Sequence, residues 1–162
     1  MVSSNNVIRL LESKKIPFQV FELPAEKLGA IETAQLLGIS SEIVYKTIVV
    51  TREKPGKLIL AVVPGSYEVD LKALAQAIGE KKVHLPTERE AESLTGLQAG
   101  GISPLALINR GFQTILDSTA KQHEQIHISG GQRGINIRLP VSALILLTNA
   151  KTAQISRPQL SS

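Results

Sequence analysis

The chain has 162 residues, enough for one domain with a proper core, and its 43% apolar and 20% charged residues are ordinary values for a soluble globular protein. Aromatics make up 3% with no tryptophan, which argues against base-stacking platforms for single strands. A formal charge of +4 and a pI near 9.5 permit a nucleic-acid partner without requiring one, because the basic residues are scattered along the sequence rather than gathered in a run.

In chain order, Ser3 or Ser4 is placed to cap a first helix carrying Val7, Ile8, Leu10 and Leu11 on one face. "PFQVFEL" predicts a strand, and Ile31, Ala34 and Leu37 mark a short helix closed by Gly38. "KTIVVTREKPGKLILAVVPG" predicts a hairpin turning at Pro55 and Gly56, whose second strand, Leu58 to Val63, is apolar throughout and so buried on both faces. Asp70 caps a helix with Leu71, Leu74, Ala75 and Ile78 at i, i+3, i+4 and i+7, ended by Gly79. A short strand at Lys82 to Leu85 precedes a helix opened by a Thr87–Glu90 capping box. The last third predicts strands near Thr114–Leu116, Ile126–Ser129, Ile135–Leu139 and Ala153–Ile155, with a helix between Pro140 and Leu147. Helices and hairpins mix without the regular alternation of a doubly wound sheet. The expected fold is therefore α+β: a single compact domain over residues 1–162, built around a mixed, partly curled sheet.

The absence of cysteine removes disulfides, thiolate catalysis and cysteine-based zinc sites together. No stretch approaches the roughly 18 apolar residues of a membrane span, and the N-terminus carries no basic leader, so a cytoplasmic address is the default expectation and no membrane is implied. "HEQIH", His123 to His127, matches the spacing of a zinc-protease helix. That chemistry needs both histidines on one helical face and a further ligand downstream. Here Ile126, His127, Ile128 and Ser129 alternate as in a strand, and no Asp, Glu, His or Cys follows His127. No metal site is expected, and no cofactor is implied.

Three other segments carry a sharper signal. In "VYKTIVV", Lys46 shares a strand face with Ile48 and Val50, so a cation leans toward the apolar side. A snorkelling strand-end lysine is the bland explanation. "AGGISPL", Ala99 to Leu105, can expose backbone N–H groups of the kind an acyl-transfer oxyanion needs, and "SGGQRG", Ser129 to Gly134, offers a backbone that a ligand could approach closely. Each of the two is also readable as an ordinary turn. No Ser-His-Asp arrangement is legible, so hydrolysis here would rest on orientation and electrostatics.

Taken together, "VYKT", "TGLQAGGISPL" and "SGGQRGINI" resemble the YbaK family, editing domains related to the insertion domain of bacterial prolyl-tRNA synthetase. The resemblance runs from "VIRLLESKKIPF" almost to the C-terminus. It implies an aminoacyl-tRNA deacylase acting in trans on the acceptor end of tRNA(Pro) carrying cysteine or alanine, with prolyl-tRNA synthetase as a candidate partner. It also implies that Lys46 is the essential lysine, assisted by the backbone of Gly100 and Gly101. Ile102, Ser103 and Pro104 complete the G-x-x-x-P loop, and Ser129, Gly130 and Gly131 match the glycine-rich wall of the pocket. The chain departs from relatives that clear cysteinyl-tRNA at two places: they carry an aspartate where Asn136 stands, and a tyrosine near the end of the first strand, where "FQVFELP" supplies Phe18 and Phe21 but no tyrosine. The rival readings are a non-catalytic module binding RNA or an acyl-adenylate, and a structural partner of the synthetase with a vestigial pocket. A vestigial pocket has no reason to keep all three segments.

Overall fold

The computed structural model describes residues 5–159. Helix α1 spans Asn6–Ser13 and is capped by Asn5, whose side chain accepts from the Ile8 N–H at 2.8 Å. The caps expected from sequence, Ser3 and Ser4, lie outside the described residues; Asn5 has the same capping chemistry one position later. Val7, Ile8 and Leu11 are buried as their spacing requires. Strand β1 (Gln19–Glu22) and helix α2 (Ala30–Leu37) follow, and Gly38 ends α2 in the left-handed conformation at φ +69°.

The central hairpin forms as expected. β2 (Tyr45–Arg52) pairs antiparallel with β3 (Ile59–Pro64), placing Lys46 opposite Val63. All six β3 residues are buried, because β3 lies inside a five-stranded sheet with both faces covered. That sheet runs in the order β5, β2, β3, β6, β9, where β5 is Val83–His84, β6 Gln113–Asp117 and β9 Lys151–Ala153. The β3–β6 and β6–β9 pairings are parallel and the other two antiparallel, so the sheet is mixed. β7 (Gln125–Ser129) and β8 (Ile135–Pro140) form a second hairpin, which joins β1 in a three-stranded antiparallel sheet. A single parallel bridge, Val44 to His127, brings the two sheets together at the mouth of β2.

Helix α3 (Leu71–Ile78) is capped by Asp70 and closed by Gly79, and α4 (Glu88–Thr95) opens on the Thr87–Glu90 capping box. α5 (Val141–Thr148) follows β8 directly. One core cluster lies between α1, α5 and the small sheet; a second packs α3 on the large sheet around Ile59, Ala61 and Ile115.

The C-terminal strand expected at Ala153–Ile155 is two strands instead. β9 stops at Ala153, and β10 (Ser156–Pro158) pairs with β4 (Tyr67–Val69). Ile155 sits between them, fully buried, with its N–H donated to the Asp117 Oδ1 at 2.9 Å. An apolar residue followed by a buried carboxylate bond turns the chain there, and nothing in local hydropathy marks it.

Candidate functional site

A cavity of about 400 Å³ opens along the first half of β2. Its floor is Tyr45 to Val49. One side comes from the segment between β1 and α2 and from α2 itself, through Leu28, Gly29, Ala30 and Thr33. The opposite side combines Leu85, Pro86 and Ala91, and the remaining wall is Gly100, Ile102, Ser129, Ile135 and Asn136. The size and the mainly apolar lining with few polar groups are those of a small-ligand site.

Among the described residues Lys46 is the only lysine in that lining, and its Nζ donates to the Gly65 carbonyl at 3.3 Å. Burial pushes its pKa below the ordinary lysine value, with the Glu68 carboxylate acting in the opposite direction. The ammonium is held by a carbonyl dipole and has no carboxylate in salt-bridge contact among the described residues. It is therefore available to an incoming negative charge. Gly65 has no room for a side chain: a Cβ there would lie 2.7 Å from the Ala30 Cβ and 3.1 Å from the Val44 carbonyl oxygen.

Neighbouring Tyr45 is fixed rather than reactive. The Thr119 hydroxyl donates to the Asp117 Oδ2 at 2.6 Å, so the Tyr45 hydroxyl donates to Thr119 Oγ1 at 2.8 Å. Burial raises its pKa to about 12.

The two glycine loops stack on each other. A Cβ on Gly101 would come within 2.9 Å of the Gln132 Cα and 3.0 Å of the Arg133 amide nitrogen. Arg133 Nε donates to the Ala99 carbonyl at 2.7 Å, and the Asn5 side chain donates to the Gly130 carbonyl at 3.0 Å. Gly100 sits at φ +89° against the backbone of Lys27 and Leu28. Glycine is required at these contacts by packing as much as by dihedral angle.

Of the residues singled out in the sequence, Lys46, Gly100, Ile102, Ser129 and Asn136 converge on the cavity. Gly101, Ser103, Pro104, Gly130, Gly131 and Phe21 do not line it. The Gly101 N–H is donated to the Gln98 carbonyl at 2.8 Å, so Gly100 and Ile102 are the loop's remaining amide donors at the wall. Ser103 is fully buried and its hydroxyl accepts from the Leu105 N–H, capping a turn. A Cβ on Gly130 would strike Ile135, and one on Gly131 would meet Val7. Both glycines shape the loop from behind.

Phe21 pairs with Asn136 across the β1–β8 ladder, and its ring packs on His127 with centroids 5.3 Å apart. His127 is 2% exposed, and its Nδ1 lies 2.8 Å from the Asn136 Oδ1. Burial lowers the histidine pKa, its bond to Asn136 acts the other way, and Arg138 lowers it further. The ring is thus neutral near pH 7, with its proton on Nδ1 donated to Asn136. That occupies the amide oxygen and leaves the Asn136 NH₂ as the group offered to the cavity. "HEQIH" is not helical: His123 ends a 3₁₀ turn and His127 lies in β7. Among the described residues no three His, Asp or Glu side chains cluster as a metal site.

Sequence reasoning missed Gly65, Ala30, Thr33 and His127. Gly65 was legible only as the end of a strand, and the Leu28–Thr33 wall has no pattern beyond helical periodicity. His127 was visible, but inside a motif that pointed to metal.

Known proteins resemble this chain over most of its length. Residues 25–146 match the family model described as "Aminoacyl-tRNA editing domain". An Enterococcus faecalis protein named "Putative Cys-tRNA(Pro)/Cys-tRNA(Cys) deacylase EbsC" is 37% identical over 153 residues, covering 93% of this chain and 92% of that protein. A "Proline--tRNA ligase" of Thermodesulfovibrio yellowstonii is 31% identical over 108 residues, 67% of this chain but 18% of the ligase. The solved structure titled "Crystal structure of a putative trans-editing enzyme for prolyl tRNA synthetase" superposes with a TM-score of 0.79 at 27% identity, covering 96% of this chain and 99% of that one. The chain belongs to the aminoacyl-tRNA editing domain family.

Proposed function

We propose that this protein is a trans-acting aminoacyl-tRNA deacylase that clears a mischarged small amino acid, cysteine or alanine, from tRNA(Pro). Membership of the editing family makes it an aminoacyl-tRNA deacylase; the small side chain and the tRNA(Pro) are the finer reading. Such a second hydrolytic site has a clear rationale. A synthetase pocket discriminates a missing methylene by only about 1–3 kcal/mol, too little for faithful charging.

The observation that carries the reading is the Lys46 ammonium, held by the Gly65 carbonyl at 3.3 Å in a 400 Å³ cavity of mainly apolar lining. A water attacks the ester carbonyl carbon, and the developing oxyanion is stabilised by Lys46 with the amides of Gly100 and Ile102. Collapse breaks the bond between that carbon and the ribose oxygen, which takes up the proton given up by the attacking water and leaves as a free hydroxyl beside the free amino acid. An aminoacyl ester is already activated, so electrostatic stabilisation without a covalent nucleophile is sufficient.

Ser129, Ile102 and Asn136 would contact the aminoacyl group, while Gly101, Ser103, Pro104, Gly130, Gly131 and Phe21 support them. α1 and β9 pack into the same structure as the matched segment, which supports one editing unit over residues 1–162. The similarity to a segment of a proline–tRNA ligase supports prolyl-tRNA synthetase as a partner. The test is a deacylation panel of correctly and wrongly charged tRNAs. Turnover confined to small residues on tRNA(Pro) is expected; no turnover on any charged tRNA would sink the reading.

A further inference from the structure

Although the basic residues are scattered in the sequence, the fold gathers a group of them. β5 pairs with β2 so that Thr51 faces His84 and Arg52 faces Val83. This brings the β2–β3 turn, "TREKPGK" (residues 51–57), against the α3–β5 turn, "GEKKVHL" (residues 79–85). The two turns are tied by Arg52 to Glu80 at 3.0 Å and by His84 to Glu53 at 3.1 Å. Together they hold five cations against two carboxylates, a net +3 of the chain's formal +4. Both carboxylates are engaged in those contacts, whereas Lys54, Lys57, Lys81 and Lys82 are exposed and have no salt-bridge partner among the described residues.

The patch is connected to the cavity. β5 is an edge strand, and immediately after it Leu85 and Pro86 form part of the cavity wall. Leu85 is 54% exposed, an apolar rim between the lysines and the opening. Lys46 and Arg52 are six residues apart on β2, about 20 Å at roughly 3.3 Å per residue. Glu88 and Glu90 begin α4 just beyond Pro86 on the same side of the opening; Glu88 lines the cavity there, with its charge engaged by Lys27 at 3.1 Å.

We propose that the lysine-rich tip formed by residues 51–57 and 79–85 binds the duplex phosphates of an RNA acceptor stem, with the unpaired 3′ end running along β5 over Leu85 into the cavity. The proposal rests on the tRNA substrate inferred above and adds where the rest of that substrate lies. Four exposed ammonium groups, without a salt-bridge partner among the described residues, suit a phosphate backbone read without sequence preference, since lysine acts as a point charge on each phosphate. The distance of about 20 Å from Lys46 to the tip is the reach of a short single strand, so the paired stem begins over the lysines. Aromatic stacking is not needed for this mode.

The test uses the full chain with Lys54→Glu/Lys57→Glu and, separately, Lys81→Glu/Lys82→Glu, with lysine-to-glutamine pairs as milder variants. Two substrates are compared: the charged tRNA that wild type cleaves best, and the same amino acid esterified to adenosine. For the tRNA, KM is expected to rise about tenfold or more at low salt with kcat unchanged, and the salt slope to fall by about 0.9 for each phosphate no longer neutralised. The adenosine ester should be cleaved as by wild type. Equilibrium binding of uncharged tRNA should weaken in parallel, a readout that survives even if no charged tRNA is cleaved. Unchanged KM, unchanged salt slope and unchanged binding of uncharged tRNA would overturn the proposal. Variants that keep tRNA binding but lose affinity for a polyaspartate peptide would also overturn it, assigning the tip to an acidic protein surface.

Discussion

The two ends of β2 use the same side chain in opposite ways. At its start Lys46 is half-buried, solitary and bonded to one backbone carbonyl. At its far end four lysines crowd an exposed tip without salt-bridge partners among the described residues. A cation withdrawn from water costs folding energy and interacts strongly with one charge at short range; a solvated cluster costs little and acts by number, under the control of salt. On the proposals made above, the contrast separates a residue placed for chemistry from residues placed for attraction. It also explains why burial lowers the pKa of the first.

The strongest way to break this contrast is to remove the solitary charge. Lys46→Ala is expected to lower kcat by about 10²–10³, the range for loss of one oxyanion-stabilising group. Lys46→Met should lose the same activity while keeping or raising the melting temperature, because it removes the charge but keeps an unbranched apolar stem in the half-buried position. A desolvated functional cation is the kind of residue for which stability and activity trade off. Turnover near wild type in either variant would make Lys46 a snorkelling lysine.

Next in size are the stacked glycine loops, which set the amide positions opposite Lys46. Gly101→Ala must push its new methyl into the Gln132–Arg133 backbone, at 2.9 and 3.0 Å, where no side chain can swing away. The displacement would carry Gly100 and Ile102 with it. A misplacement of about 1 Å near reacting atoms can cost about 10²-fold, so Gly101→Ala should reduce kcat far more than Ser103→Ala. Ser103→Ala removes a turn cap and should cost about 1 kcal/mol of stability with little change in turnover. Equal turnover in the two purified variants would reduce the loop to an ordinary turn.

These comparisons show what the sequence could and could not carry. The helix over Leu71–Ile78 was legible because cap, apolar spacing and closing glycine all agree over a short stretch. Lys46 was legible because a charge interrupted a period-2 pattern. The Leu28–Thr33 wall was not, since its contribution depends on α2 lying over Gly65, a contact between residues 30 and 65. The basic tip was hidden for the same reason: it takes the long-range pairing of β2 with β5 to unite the two turns. The split of the last strand around Ile155 depends on a buried bond to Asp117, 38 residues earlier. Local chemistry was readable; long-range pairing was not.

A pH profile separates the two kinds of lysine more finely. In the proposed mechanism the Lys46 ammonium stabilises the oxyanion, so kcat, corrected for uncatalysed ester hydrolysis, should fall as pH rises through the folded Lys46 pKa. Burial places that pKa below the ordinary lysine value, so the alkaline limb should begin earlier than a solvated lysine would give. The stability sign is the reverse. The folded state disfavours the charged form, so the fold is penalised at neutral pH and regains stability as pH rises from the folded toward the unfolded pKa. Lys46→Met should lose both effects. A wild-type profile flat up to the ordinary lysine range would contradict an ammonium in a low-dielectric site.

The smallest expected effect concerns choice among substrates. With the Asn136 oxygen occupied by the His127 Nδ1–H, position 136 offers the cavity a donor, which suits an acceptor atom of the aminoacyl group better than its α-ammonium. Asn136→Asp would keep the bond to His127 through one oxygen and turn the other, with its charge, toward the substrate amine. The same carboxylate would favour protonation of His127, and the imidazolium would then screen part of the new field. The gain should therefore be modest in Asn136→Asp and larger when His127→Phe is added, since Phe keeps the packing on Phe21 but brings no counter-charge. The readout is the ratio of deacylation rates on cysteinyl-, alanyl- and seryl-tRNA(Pro). Wild type is expected to discriminate weakly among the three, and Asn136→Asp to raise the cysteinyl rate most. If wild type is already strict for cysteine, or if both variants leave the ratios flat, then the side chain at 136 does not set specificity, and Ile102 and Ser129 become the wall residues to vary.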